Sequence, residues 1–277
     1  HPDRDESWAK AERSRIGEER FRREHECEFL IFDETLINSI NLADMEGVPP
    51  VEVTGQVRWF KRPTPGNTYL TSLDPAMGTG GDFAAIQVFE LPSFEQVAEW
   101  HHNTTPMNQQ VRILQQINKH IHDAIMEKDT TASPQIFYSM ENNTIGEAAL
   151  LRVMDIGEEN IQGMFLSEPI RKGHRRKFRR GFNTTAKHKI DACTKFKELV
   201  ENGKMKINSQ LLISELKDFV ASGMSYKAKA GQHDDLVSSC LLMTRMMKVL
   251  ADFDPKIFEK WTDRTSELKP MPVFGSL

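Results

Sequence analysis

The chain has 277 residues, 39% hydrophobic and 27% charged, enough apolar side chain for one well-buried core and too much for a disordered chain. Its 36 Lys and Arg stand against 40 Asp and Glu, a formal net charge of −4, which excludes a globally polybasic binder and makes any basic surface local. Cys27, Cys193 and Cys240 are odd in number and lack a C-x-x-C pair, so neither a disulfide framework nor a structural zinc site is expected and a reducing cytosol fits.

No run approaches the length of a membrane-spanning helix, and the polar start HPDRDESW is no signal peptide, so neither membrane nor export is indicated. A chain that opens on His1 rather than Met is expected to be an excised fragment.

In chain order, residues 1 to about 30 mix Glu and Arg at helical spacings around scattered apolar points, Trp8, Ile16, Phe21 and Phe29. They predict helix with a poor core of its own. Residues 41–66, with VPP and KRPTPG between short β-branched runs, predict a connector with one or two short strands and a domain boundary. TYLTSLD, AAIQVFEL and QVAEWHH then predict three strands, joined by MGTGGD and PSFE and able to form an antiparallel meander.

Val111, Leu114, Ile117, Ile121 and Ile125 recur at three- and four-residue steps and predict a helix from 106 to about 128. QIFYSME predicts a strand, and EAALLRVMD a helix behind the cap-forming Asn143 and Thr144. A strand at 161–166 leads into a charge run, then a helix over 186–202 that Gly203 ends. The last element is a helix from Asp234 or Asp235 to about Leu250, followed by a Pro-punctuated tail. Strands followed by alternating helix and strand predict an α/β domain around a mixed sheet, over about residues 67–252.

Three groups of acids fall where chemistry gathers in such a domain. Asp74 closes the first strand and Glu141 a later one, so both sit at carboxyl edges, outside which ligands of open α/β sheets bind. Asp234 and Asp235 precede an apolar helix whose N-terminus favours negative charge. Each has a plain structural alternative: a turn Asp before Pro75, a solvated Glu141, a capping Asp pair. Together they repel one another unless cations intervene, and hard divalent ions such as Mg²⁺ or Mn²⁺ take oxygen ligands of this kind. Two such ions suit in-line phosphoryl displacement. His233 either orients a carboxylate or is a solvated surface histidine.

The loop MGTGGD lacks the spacing of a phosphate-binding loop and is expected to be a tight hairpin turn, with Asp82 either an outer metal ligand or a turn cap. Residues 171–189 hold nine Lys or Arg and no acid: Arg171, Lys172, Arg175, Arg176, Lys177, Arg179, Arg180, Lys187 and Lys189. They predict a segment that tracks DNA phosphates without reading bases, Phe178 and Phe182 anchoring it or touching bases. A solvated loop or a protein-docking segment is the alternative.

LDPAMGTGGD, SMEN, the basic run and GQHDDLV, in that order, resemble the nuclease domain of the large terminase subunit of tailed bacteriophages, of the headful-packaging, contractile-tailed type. EHECEFL and DETLI resemble the junction between that family's ATPase and nuclease. The resemblance implies a ribonuclease H-like fold, a central mixed sheet flanked by helices. It divides the chain into the end of an upstream ATPase domain and linker (1–66), a nuclease domain (67–252) and a tail (253–277).

It also implies a two-metal, Mg²⁺- or Mn²⁺-dependent endonuclease that cuts concatemeric viral DNA in the host cytoplasm, at the procapsid portal. Portal protein, small terminase subunit and the family's own ATPase are the implied partners. Asp74 matches the first catalytic and metal-binding acid, Glu141 the second, Asp235 ahead of Asp234 the third, and Asp82 the acid after the glycine loop. No Walker A motif is present, so this chain is not expected to hydrolyse ATP. EKDTTASP is longer, and RRKFRRGF more basic, than the resemblance requires. The rival readings are a non-catalytic DNA-binding or docking module and a resolvase- or integrase-type nuclease of the same fold.

Overall fold

The structure, a computed structural model, describes residues 6–17, 21, 25, 34–169 and 180–253. Helix α1 (Glu6–Ile16) is charged on much of its surface, and Trp8 meets the rings of Phe21 and His25. Helix α2 (Ser39–Asp44) is capped by Asn38, whose side chain accepts the Asn41 N–H, and carries Leu42 into the main core beside Leu36 and Ile37.

Strands β1 (Glu52–Thr54) and β2 (Val57–Trp59) form a hairpin. They precede the meander β3 (Thr68–Asp74), β4 (Ala84–Leu91) and β5 (Glu95–His102), all antiparallel. Because β2 pairs with β5, the segment read as a connector contributes two strands to the same sheet.

Helix α3 (Met107–Lys128) returns the chain so that β6 (Gln135–Met140) lies parallel to β3. Helix α4 (Gly146–Ile156) leads to β7 (Met164–Phe165), parallel to β6. Among the described residues the sheet order is β1-β2-β5-β4-β3-β6-β7. Helices α5 (Ala186–Glu201) and α6 (Gln210–Asp218), the hairpin β8 (Phe219–Ser222) and β9 (Ser225–Ala228), and helix α7 (Asp235–Phe253) follow.

Alternation along the strands sorts side chains between two layers. Tyr69, Leu73, Ile86 and Val88 meet the apolar stripe of α3, including Val111, Leu114, Ile121 and Ile125. Leu70, Ala85 and Phe89 face α5, α6 and α7. Covered on both faces, β4 is buried throughout. Helix α7 is apolar nearly all round, with Leu236, Val237, Cys240, Met243 and Met246 buried, because it lies between the sheet and two other helices. It is fastened to β3 by a reciprocal serine pair. Ser72 Oγ donates to the Ser239 carbonyl at 2.8 Å, and Ser239 Oγ to the Ser72 carbonyl at 3.0 Å.

Three expectations change. The strand read over 161–166 is only Met164–Phe165. Helix α6 and the hairpin β8–β9 occupy a stretch assigned no element, although Ser209 caps α6 through the Leu212 N–H in the ordinary way. The MGTGGD segment is not a tight hairpin turn. Residues 75–83 form a longer loop pinned to the end of β5, with Gly80 N–H donating to the Asn103 carbonyl at 2.9 Å and Asn103 Nδ2 to the Gly80 carbonyl at 3.1 Å. Gly78 has φ +73°, and a Cβ there would lie 2.3 Å from the Thr105 carbonyl oxygen, so this close approach requires glycine.

Candidate active site

Parallel pairing of β3 with β6 sets Leu73 opposite Met140, and the Glu141 N–H donates to the Leu73 carbonyl at 3.1 Å. Asp74 and Glu141, the next acids on each strand, therefore leave the carboxyl edge side by side, and their carboxyls are hydrogen-bonded to each other. Burial, then the charge of Glu141 and that hydrogen bond, hold Asp74 well above the ordinary carboxylate range, with Asp235 and Asp234 pushing the same way. Burial among other acids thus favours the protonated form of Asp74, and a hard cation would favour the ionised one. Asn143 steadies the pair: its Nδ2 donates to Glu141 Oε2 at 3.1 Å, while its Oδ1 accepts the N–H groups of Ile145 and Gly146 and starts α4.

Helix α7 brings the other two acids. The Asp234 carbonyl accepts the Ser238 N–H at 2.8 Å, which makes Asp234 the cap. The serine pair one turn further along fixes how close the helix start lies to β3. Asp235 Oδ2 accepts the Phe83 N–H at 3.4 Å and stands 3.6 Å from His233 Nδ1. Burial lifts Asp235 to about 6; the Phe83 N–H and His233 pull it down, while Asp234 and Asp82 push it up. Asp82 is exposed and acts on the site through its charge.

A cavity of about 200 Å³ opens beside the first pair, lined by Asp74, Glu141, Thr184, Lys189, Ser238 and Arg245 among others. Lys189 Nζ lies 3.6 Å from Asp234 Oδ2, so this lysine, expected on DNA phosphates, faces the acids. Arg245 is held by Glu168, by Thr184 at 2.9 Å and over the Phe182 ring. A larger cavity of about 300 Å³ lies by Gly47, Phe60 and Leu211. Its one acid, Glu99, is taken up by Arg58 at 2.9 Å and Ser209 at 2.6 Å, so the smaller cavity is the one suited to chemistry.

Of the basic run, Arg171, Lys172, Arg175, Arg176, Lys177 and Arg179 lie outside the described residues, as does Phe178. The described flanks meet beside Glu141. Glu168 N–H donates to the Gly181 carbonyl at 3.3 Å, and Asn142 N–H to the Phe182 carbonyl at 2.7 Å. Phe182 is wholly buried and anchors the segment, which removes it as a base contact. Arg180 is bound by Glu158 and lies over the Phe165 ring, whereas Lys187 is exposed.

Sequence reasoning missed Glu215, His101, Phe83 and Arg245. Glu215, on α6, accepts the Val237 N–H at 3.1 Å. Burial lifts it to about 9, Asp235 and Asp234 adding to the rise. His101 Nε2 lies 3.7 Å from Glu215 Oε1, and its ring stacks on Phe83 at 4.1 Å. Burial lowers His101 to about 4. The QLLISEL stretch behind Ser209 is a readable capped helix, but nothing in one sequence points its Glu at another helix.

Residues 71–246, which include all five candidate acids, match the family of terminase RNase H-like domains. The chain belongs to that family. This terminase domain has the ribonuclease H-like fold expected of it, the antiparallel meander continued by parallel strands.

It is similar to the large terminase nuclease of thermophilic phage G20c with bound magnesium, at 16% identity and a TM-score of 0.56, covering 77% of this chain and 97% of that one. The large terminase nuclease domain of Thermus phage P74-26 matches at 17% identity and a TM-score of 0.52, covering 73% and 91%. The manganese-soaked human cytomegalovirus terminase nuclease domain matches at 14% and a TM-score of 0.50, covering 76% and 94%.

Among the described residues of the terminase domain, no three His, Cys, Asp or Glu side chains close around one point tightly enough to cage an ion. The donors come as two pairs, Asp74 with Glu141 and Asp234 with Asp235. Such an open, all-oxygen set suits Mg²⁺ or Mn²⁺, which keep water or phosphate oxygens in their shells, better than it suits a structural zinc. No helix among the described residues is long and apolar enough to cross a membrane.

Proposed function

We propose that this terminase domain is a divalent-metal-dependent DNA endonuclease, cutting concatemeric viral DNA with little sequence preference during genome packaging. The observation that carries the reading is the convergence of Asp74 and Glu141, at the ends of two adjacent parallel strands, with Asp234 and Asp235 at the start of α7.

Asp74 and Glu141 would hold metal between the strand ends, and Asp235, seconded by Asp234, would do so from α7. When bound, two Mg²⁺ or Mn²⁺ ions supply an acidified water and a Lewis acid at the departing oxygen. The protein's own part is to keep Asp235 oriented through the Phe83 N–H and His233 Nδ1, and to leave Lys189 beside a scissile phosphate that draws it from Asp234. The basic run, whose flanks close beside Glu141, supplies phosphate contacts on a surface otherwise too acidic to approach DNA. The amino-acid sequence of the run carries no base-readout pattern, which supports tolerance of sequence. Portal protein, small terminase subunit and an upstream ATPase are the partners this role requires, in the host cytoplasm.

The test is nicking of supercoiled plasmid. With Mg²⁺ or Mn²⁺ the protein is expected to nick, EDTA to stop it, and Asp74→Asn to be inactive while still binding duplex. Binding without cutting under any divalent ion would overturn the proposal in favour of a docking module. A strong preference for a four-way junction over linear and circular duplex would point to a resolvase.

A further inference from the structure

Helix α7 is capped in an unusual way. A capping Asp ordinarily turns its carboxylate back onto the N–H groups two and three residues ahead. Here the second of those N–H groups, Val237, is taken by Glu215 from α6, at 3.1 Å to Oε2. Asp234, although its carbonyl opens the helix, has its carboxylate 3.6 Å from Lys189, a residue that lines the cavity with Asp74 and Glu141, and its charge acts on Asp74.

The clamp is itself built in. Glu215 is only 10% exposed, and its other oxygen lies 3.7 Å from His101 Nε2. That nitrogen is buried without a hydrogen bond of its own. The His101 ring stacks on Phe83, whose N–H binds Asp235. Register explains the convergence: Asp74 pairs with Ala85, and Ala85 with His101, so the three share one row and one face of the sheet, the face covered by α7.

We infer that Glu215 is a positioning residue for the metal-binding acids, substituting for Asp234 as the side-chain cap of α7 and so releasing the Asp234 carboxylate to the active site. His101 and Phe83 complete the support by holding Glu215 and Asp235 from the sheet side. The inference rests on the nuclease reading for its consequence in catalysis, but not for the capping exchange itself. Without Glu215 the Asp234 carboxylate, placed at the cap, is free to take up the ordinary capping bonds on its own helix and leave Lys189.

The experiment compares Glu215→Gln, which keeps an acceptor oxygen, with Glu215→Leu, which keeps bulk and removes it. Thermal melting establishes that both fold. Glu215→Gln is expected to cut plasmid at close to the parent rate. Glu215→Leu is expected to lose about 10- to 100-fold in kcat or in apparent Mn²⁺ affinity, the usual scale for removing a support of a metal ligand, with duplex affinity in Ca²⁺ unchanged.

A crystal structure of Glu215→Leu gives a second readout that needs no activity, and should show the Asp234 carboxylate on the N–H groups of Leu236 and Val237. An unmoved Asp234, unchanged cutting by Glu215→Leu, or equal loss in Glu215→Gln would each overturn the inference. If the parent protein does not cut at all, the nuclease reading fails and the position of Asp234 still decides this one. Should Glu215→Leu not fold, Glu215→Ala in the same two assays replaces it.

Discussion

Asp74 and Glu141 share a hydrogen bond between carboxyls that stand at the ends of two adjacent parallel strands. Burial, the charge of Glu141 and that contact, with Asp235 and Asp234 adding to them, push Asp74 well above the ordinary carboxylate range, which favours its protonated form.

Replacing Asp74 by Asn mimics this protonated state. Its thermal midpoint in EDTA at pH 7 should match or exceed that of the parent, because an amide can donate to Glu141 as the protonated acid does. The concentration-dependent rise in midpoint that Mn²⁺ gives the parent should disappear. A differential scanning fluorimetry titration measures both, and an unchanged Mn²⁺ response would remove Asp74 from the metal site.

Stability of the metal-free protein should fall as pH rises from 7 to 9. Glu215 titrates near 9 folded and near 4.5 unfolded, so over this window the folded state holds more protons and loses stability as they leave. His101, lowered to about 4, acts in the opposite sense only below about 6.5. Urea unfolding at pH 7 and 9 in EDTA should differ by about 1–3 kcal/mol, and Glu215→Gln should remove most of the difference. Equal stability at the two pH values in the parent would refute the assignment of Glu215.

Gly146→Ala tests how α4 approaches the site. A Cβ at this position would lie 1.8 Å from the Glu141 carbonyl oxygen, so backbone must shift and carry Glu141 with it. The expected result is a cutting rate lowered by about 10-fold or more, as misplaced catalytic groups typically show, in a protein that still melts cooperatively. Parent-like cutting would mean that the Glu141 carboxyl tolerates displacement.

The basic run should govern affinity rather than chemistry. Arg175→Gln, Arg176→Gln and Arg179→Gln together should weaken duplex binding and lower the slope of log affinity against log salt by about 0.9 for each phosphate that is no longer neutralised. Arg180→Gln should leave the slope nearly unchanged, because its guanidinium is occupied by Glu158 and Phe165. Fluorescence anisotropy at several salt concentrations distinguishes the two sets, and an unaltered slope in the triple variant would assign the run to a protein partner.

Much of this molecule is legible in one dimension because its signals are local. The stripe from Val111 to Ile125 marks α3, the apolar runs mark β3, β4 and β6, and an acid at the end of each of two strands marks the rim, since periodicity and chain direction are properties of consecutive residues. The partners of those acids obey no local rule. That Glu215 caps a helix more than fifteen residues later in the chain, that Lys189 turns to Asp234, that His101 shares a row with Asp74, and that residues 52–59 extend the sheet all depend on strand register and helix packing. Contacts between distant segments arise only once the core has closed, which is why the placement of the acids at strand and helix ends could be read along the chain and the contacts around them could not.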